Sequence, residues 1–217
     1  MTKVHPNNVS DRLKATTSSF PDGKGNAQIL TVWKKSLLFN CNGFTVFDGK
    51  GNLVFRVDNY VAGKKSEIVL MDAAGKPLLT IRRKRLSLGD NWLVYDGEST
   101  ANPRFLARKQ VNILNTKCLA LVSSGSGTGS CSPMSSSGSS NHELYEIQGS
   151  YTRRCCGVLD KKGTRVAEIK QKESVGGVAF GVDVFRLIVQ PEMDASLAMA
   201  LVILLDQMFG SSRRLST

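Results

Sequence analysis

Histidine is nearly missing from this chain of 217 residues, which carries only His5 and His142. The first lies in a polar N-terminal stretch and the second at the edge of a Ser/Gly-rich one, so no regular element presents an imidazole base. That argues against Ser–His or Cys–His nucleophilic catalysis. A His/Cys zinc site needs several ligands at set spacing, and none is visible. Neither an enzyme activity nor a metal nor any other cofactor is expected. Cysteine occurs five times, an odd number with no C-x-x-C pair (Cys41, Cys118, Cys131, Cys155, Cys156). A disulfide framework is therefore not expected, and a reducing compartment is. On a strand the adjacent Cys155 and Cys156 would face opposite sides. The first residues, MTKVHPNNVSDRLK, lack the apolar core of a secretory signal. Thr2 stands where myristoylation needs Gly, and no prenylation box closes the sequence. The expected location is intracellular, in the cytoplasm or peripherally at the plasma membrane, with the nucleus left open.

A long hydrophobic run is also missing. The greasiest stretch, Pro191 to Gly210 (PEMDASLAMALVILLDQMFG), has nine uninterrupted apolar residues from Leu197 to Leu205. At about 1.5 Å per residue that is roughly 14 Å of helix. A bilayer core is about 30 Å thick and needs about 20 apolar residues. Asp194 and Asp206 bound the run, and carboxylates in lipid are costly. Transmembrane insertion is not expected. Yet every side of this helix is apolar, so it must be buried on all sides.

What surrounds it is written in the rest of the chain, which reads as β-hairpins. An alternating apolar run ends in Asp, Gly follows three residues later, and a second run begins. The copies are Val46-Phe47-Asp48 to Gly51, Leu70-Met71-Asp72 to Gly75, and Val158-Leu159-Asp160 to Gly163. Asp at the first turn position bonds the backbone two residues on, and Gly at the fourth accepts positive φ. Residues 92–97 and 104–107 form a degenerate copy with a longer loop. Two segments are too polar to order themselves: residues 1–26, and the Ser/Gly-rich residues 123–141. Hairpins recur on both sides of the second, while only one apolar helix is available. A single domain over residues 27–210, with 123–141 as a loop and 211–217 as a basic tail, accounts for both facts. The expected fold is mainly β, a closed antiparallel barrel around a central C-terminal helix, since closure leaves no exposed sheet edge.

Charge is the remaining signal. Lys+Arg total 29 against 18 Asp+Glu, a net +11 that favours anionic partners such as phospholipid headgroups or nucleic acid. The run Arg82, Arg83, Lys84, Arg85 carries no acid, and its forks and point charges suit phosphate groups. Arg108-Lys109, Arg153-Arg154 and the hairpin-tip pair Lys161-Lys162 are secondary candidates. Arg213-Arg214-Leu215-Ser216 resembles a basophilic kinase site, with Ser216 the acceptor. Asp48, Asp72 and Asp160 are explained by their turns. No aromatic platform is interleaved with arginines, so direct nucleic-acid contact is not expected. Trp33, Trp92, Phe44, Phe55 and Phe185 are expected in the core.

Several of these motifs, in order, resemble the plant LURP-one-related family: Leu30-Thr31-Val32-Trp33-Lys34-Lys35-Ser36, Asn42-Gly43-Phe44-Thr45-Val46-Phe47-Asp48, Leu79-Thr80-Ile81-Arg82-Arg83-Lys84, Trp92, and Gly181-Val182-Asp183-Val184-Phe185 with Pro191, Asp194, Met199 and Asp206. The similarity spans roughly residues 28 to 209. It implies a tubby-C-terminal-like fold of twelve strands around a hydrophobic helix, shared with the phospholipid scramblases. Tubby domains bind phosphoinositides and act as membrane-tethered transcription regulators, and founding members of the plant family are linked to pathogen defence. In Leu88-Gly89-Asp90-Asn91-Trp92, Gly stands where the family often has His. The expected function is a non-enzymatic regulatory or tethering module for phosphoinositide-type lipid, with a protein partner left open. The alternatives are a scramblase-like lipid-associated protein and a DNA-binding regulator.

Overall fold

The computed structural model describes residues 25–38, 41–60, 67–84, 89–99, 101–110, 117–125, 143–174 and 180–210. The strands are β1 (Gln28–Trp33), β2 (Cys41–Phe47), β3 (Leu53–Tyr60), β4 (Glu67–Asp72), β5 (Pro77–Arg83), β6 (Asn91–Asp96), β7 (Phe105–Lys109), β8 (Cys118–Ser124), β9 (Glu143–Ser150), β10 (Cys155–Asp160), β11 (Arg165–Gln171) and β12 (Val184–Val189), followed by helix α1 (Ala195–Phe209). Each strand pairs antiparallel with its neighbours in sequence, and β1 pairs with β12 from Gln28↔Val189 to Trp33↔Val184, closing the barrel. Strands β8 and β9, on either side of the Ser/Gly-rich stretch, are neighbours in this sheet. Most of that stretch, residues 126–141, lies outside the described residues, as do 1–24 and 211–217.

The hairpins form as their turn chemistry dictates. The Asp48 carboxylate accepts from the amides of Lys50 and Asn52, both at 2.8 Å. The Asn52 side chain adds a bond to the same carboxylate and leads the causes that hold Asp48 below the usual carboxylate value. Asp160 repeats the pattern with Lys162 and Thr164, and Asp72 with Lys76. Gly51, Gly75 and Gly163 take φ of 86°, 88° and 76°, a region where a Cβ would be strained.

Alternation along the strands fills the barrel. Leu30 and Val32, Phe44 and Val46, Leu79 and Ile81, Phe185 and Leu187 all point inward and are buried. They meet α1, whose fifteen residues span roughly 22 Å at about 1.5 Å per residue. From Leu197 to Leu205 no side chain is more than 3 % exposed. A helix apolar on every side is thus matched by a sheet that faces it from every side. Among the described residues no helix is long and apolar enough to cross a membrane.

Trp33 departs from expectation. The inward positions of β1 belong to Leu30 and Val32, so the two-residue period turns Trp33 to the outer face, where it is half-buried with the Lys35 ammonium 5.2 Å from its ring centre. Cys155 is exposed and Cys156 buried, as the same period requires. Burial, reinforced by Cys155, pushes the Cys156 thiol up to about 12, and burial with Glu146 nearby pushes Cys118 up to about 11.

Asp194 caps the start of α1, accepting from the Leu197 amide at 2.8 Å and from the Ser196 hydroxyl. Partial burial works to raise this carboxyl, but the bonds from Ser196 and Leu197 outweigh it and the net direction is down from 3.8. A depressed carboxyl stabilises the fold above its unfolded value and loses that contribution as pH falls through the folded one. Asp194→Ala should therefore cost about 1 kcal/mol at neutral pH. In urea melts at a series of pH values, its gap to the natural chain should narrow below the ordinary 3.8.

Candidate functional site

The helix gives the barrel two distinct ends. Because the sheet is a meander, connections alternate between them. The β2–β3, β4–β5, β6–β7 and β10–β11 connections ring the end where α1 enters. The strand ends joined by the β1–β2, β3–β4, β5–β6, β7–β8, β9–β10 and β11–β12 connections ring the end where it finishes. We call these the entry rim and the exit rim.

The exit rim is built around the last turn of α1. Asp206, 7 % exposed, accepts from Lys34 Nζ at 2.8 Å and from the Tyr151 hydroxyl at 3.1 Å. Burial, with Asp206 adding to it, raises the Tyr151 phenol well above its ordinary value, so it remains a donor. Lys109 Nζ donates to the Met208 carbonyl at 2.6 Å and lies 4.5 Å from the Phe209 ring centre. A cation on the last carbonyls satisfies orphan acceptors and opposes the helix dipole. Arg154 adopts φ 51° and is 5 % exposed. Its guanidinium sits 4.1 Å from the Tyr151 ring and 4.3 Å from the Phe185 ring, and its Nε donates to the Val182 carbonyl at 2.8 Å. These contacts tie the β1–β2 and β9–β10 connections and the end of β7 to the last turn of the helix, and Arg154 joins the β11–β12 connection to them.

Removing Asp206 should be felt as a loss of stability. Asp206→Ala leaves the Tyr151 hydroxyl buried without its acceptor and Lys34 without its counter-ion. Lys34 is 24 % exposed and can regain water. The expected loss is therefore about 2 kcal/mol, below the 3–5 of a fully enclosed pair. Chemical denaturation of the variant checks it.

The basic candidates from the sequence divide between the two rims. Arg82 is half-buried, ion-paired with Glu67 at 2.6 Å and 5.8 Å from the Tyr95 ring centre. Arg83, just beyond the inward Ile81, reaches the exit rim and pairs with Asp90 at 3.1 Å while 53 % of its side chain stays exposed. Lys84 follows it there and is exposed. Arg108 is exposed at the end of β7, whereas Lys109, next to it, turns inward to the helix. Lys161 and Lys162 are exposed on the β10–β11 tip, on the entry rim at the other end of the molecule. Arg85 and Ser216 lie outside the described residues.

Of the secondary pair Arg153-Arg154, Arg153 is exposed on the exit rim between β9 and β10, and two further exposed cations there were not among the candidates: Lys35 in the β1–β2 connection and Lys117 before β8. The usable signal was parity: in a meander barrel every second connection meets at one end. The carboxylates of this rim are largely engaged. Asp58 is gripped by Arg56 at 2.6 Å, Glu67 by Arg82, Asp90 by Arg83, Asp206 by Lys34, and Glu173 by Arg186 at 3.4 Å. Lys35, Lys84, Arg108, Lys117 and Arg153 have no ion pair among the described residues; the exposed Asp183 likewise has none. The entry rim carries the turn carboxylates Asp48, Asp72 and Asp160 together with Glu192 and Asp194, interspersed with Lys50, Lys76, Lys161 and Lys162. Among the described residues the charge is lopsided, with the surplus of positive charge on the exit rim. Among the described residues no group of three His, Cys, Asp or Glu side chains could hold a metal ion.

A basic rim on a helix-filled barrel can be compared with known proteins. The model of the LURP-one-related family matches residues 28–206. Protein LURP-one-related 8 of Arabidopsis thaliana is 54% identical over 216 residues, covering 98% of this chain and 100% of that protein. Protein LURP-one-related 17 of the same plant is 41% identical over 222 residues, covering 95% of each. An Arabidopsis thaliana protein solved by X-ray crystallography superposes with a TM-score of 0.60 over 84% of this chain and 91% of that one, at 22% identity, and so shares the fold. With the family pattern running through all twelve strands and most of the central helix, the chain belongs to the LURP-one-related family.

Proposed function

We propose that this protein is a non-enzymatic regulatory or tethering module that docks on phosphoinositide-type anionic lipid through its exit rim. The observation that carries this reading is the gathering of exposed Lys35, Lys84, Arg108, Lys117 and Arg153 at one end of the barrel, where most carboxylates are already ion-paired. Near an anionic leaflet each such cation contributes about 1 kcal/mol. Guanidinium forks add directional bonds to phosphate oxygens. The helix serves as an internal peg in this reading, which is supported by the enclosure of Leu197 to Leu205 and by the latch on Asp206. The scarcity of histidine supports the absence of an acid–base catalyst. The resemblance to tubby domains and scramblases, both linked to lipid, agrees with it.

Vesicle flotation tests the proposal. Phosphatidylcholine vesicles carrying a few per cent of phosphatidylinositol bisphosphate should carry the protein upward at about 150 mM salt, with binding weakening as salt screens the rim. Plain phosphatidylcholine should not. No flotation with the anionic vesicles, or equal flotation with both kinds, would overturn it.

A further inference from the structure

The large apolar side chains most exposed among the described residues are Ile29 at 46%, Leu37 at 51%, Leu38 at 37% and Val182 at 56%. Three of the four stand on the exit rim. Leu37 and Leu38 occupy the β1–β2 connection and Val182 the β11–β12 connection. The two connections are joined where the Lys34 amide donates to the Asp183 carbonyl at 2.7 Å. We infer that Leu37, Leu38 and Val182 form an interfacial anchor, entering the boundary between headgroups and acyl chains of an anionic bilayer. The inference rests on the lipid-docking reading above and adds an apolar contribution to it.

The apolar tip is held outward by a fixed frame. Ser36, 6 % exposed, donates its hydroxyl to the Asp58 carboxylate and accepts from the Leu38 amide at 3.0 Å. Arg56 clamps the same carboxylate through Nε at 2.7 Å and its terminal nitrogen at 2.6 Å. The fully buried Thr45 hydroxyl donates to the Lys35 carbonyl at 2.6 Å, and Arg154 holds the Val182 carbonyl at 2.8 Å. So braced, the backbone presents both leucines outward, 51% and 37% exposed. Their surroundings select the occupant. Exposed Lys35 adjoins the leucines and exposed Arg153 adjoins Arg154, which holds Val182, against the exposed carboxylate of Asp183; Trp33 lies at the base of the tip beneath Lys35. Cations and tryptophan around a small apolar protrusion match the headgroup layer of an anionic membrane. A purely apolar protein surface would draw nothing from those cations.

The test uses the full chain and the same bisphosphate-bearing phosphatidylcholine vesicles. Leu37→Ser with Leu38→Ser should weaken binding about a hundredfold, roughly tenfold for each half-exposed leucine withdrawn from the interface. The thermal midpoint should stay unchanged. Leu38→Trp should keep binding, and its added indole emission should shift to the blue on vesicles and be quenched by shallowly brominated lipid. If the natural chain ignores these vesicles, the docking proposal and the anchor fall together. If it binds them and the double Ser variant binds within twofold, docking stands and the anchor is wrong. An unshifted Leu38→Trp emission on bound protein also overturns it. So does a double variant that changes the sedimenting mass of the free protein while binding vesicles normally, since the leucines would then join two copies.

Discussion

Replacing Leu201 with alanine should lower the stability of this protein by about 2–5 kcal/mol. Leu201 is 1 % exposed in the middle of α1, inside the ring of strands. Truncation removes its transfer contribution and leaves a cavity that a closed barrel, with strands fixed on all sides, is poorly able to shrink. For a domain near this size each kcal/mol moves the thermal midpoint by about 2–4 °C. The control is Ile29→Ala on the outer face of β1, where 46% exposure leaves little to lose. Differential scanning calorimetry of both variants in water checks the contrast. Were the helix enclosed by lipid or by another protein instead of its own strands, Leu201→Ala would be neutral or favourable for the isolated chain.

The second large effect concerns lipid. Changing Lys84, Arg108, Lys117 and Arg153 together to Gln should weaken binding to vesicles containing phosphatidylinositol bisphosphate by about 4 kcal/mol, close to a thousandfold. The salt dependence should become shallower, because fewer cations remain to be screened. All four side chains are exposed and have no ion pair among the described residues, so the fold should be indifferent to the change. Lys161→Gln with Lys162→Gln removes two charges at the entry rim and should leave vesicle binding nearly intact. Near-equal losses per charge at the two ends would mean that net charge alone attracts the protein, and the exit rim would lose its special role.

How much of this was legible beforehand follows from the range of each cause. Asp48 with Gly51, Asp72 with Gly75 and Asp160 with Gly163 form turns through bonds spanning two to four residues, so the hairpins can be read directly from the chain. The basic surplus and the greasy helix are equally local. Lys109 is different. Next to exposed Arg108 it looks like half of a surface pair, yet it caps the Met208 carbonyl 99 positions away. Arg82 reads as part of a cationic run, but Glu67 and Tyr95 lie across its two sheet neighbours. Asp206, read as a boundary of the apolar run, turns out to latch the helix to Lys34 and Tyr151. The exposed leucines at 37 and 38 gave no periodic signal, since only the frame around Ser36 decides that they face outward.

Sequence alone therefore determined the units: strands with their turns, an apolar rod too short for a bilayer, and an excess of positive charge. Only the tertiary structure decided which of those charges stand together, because closing a meander sorts its connections alternately to two ends. That sorting depends on the number and pairing of all twelve strands, which no local stretch of residues contains.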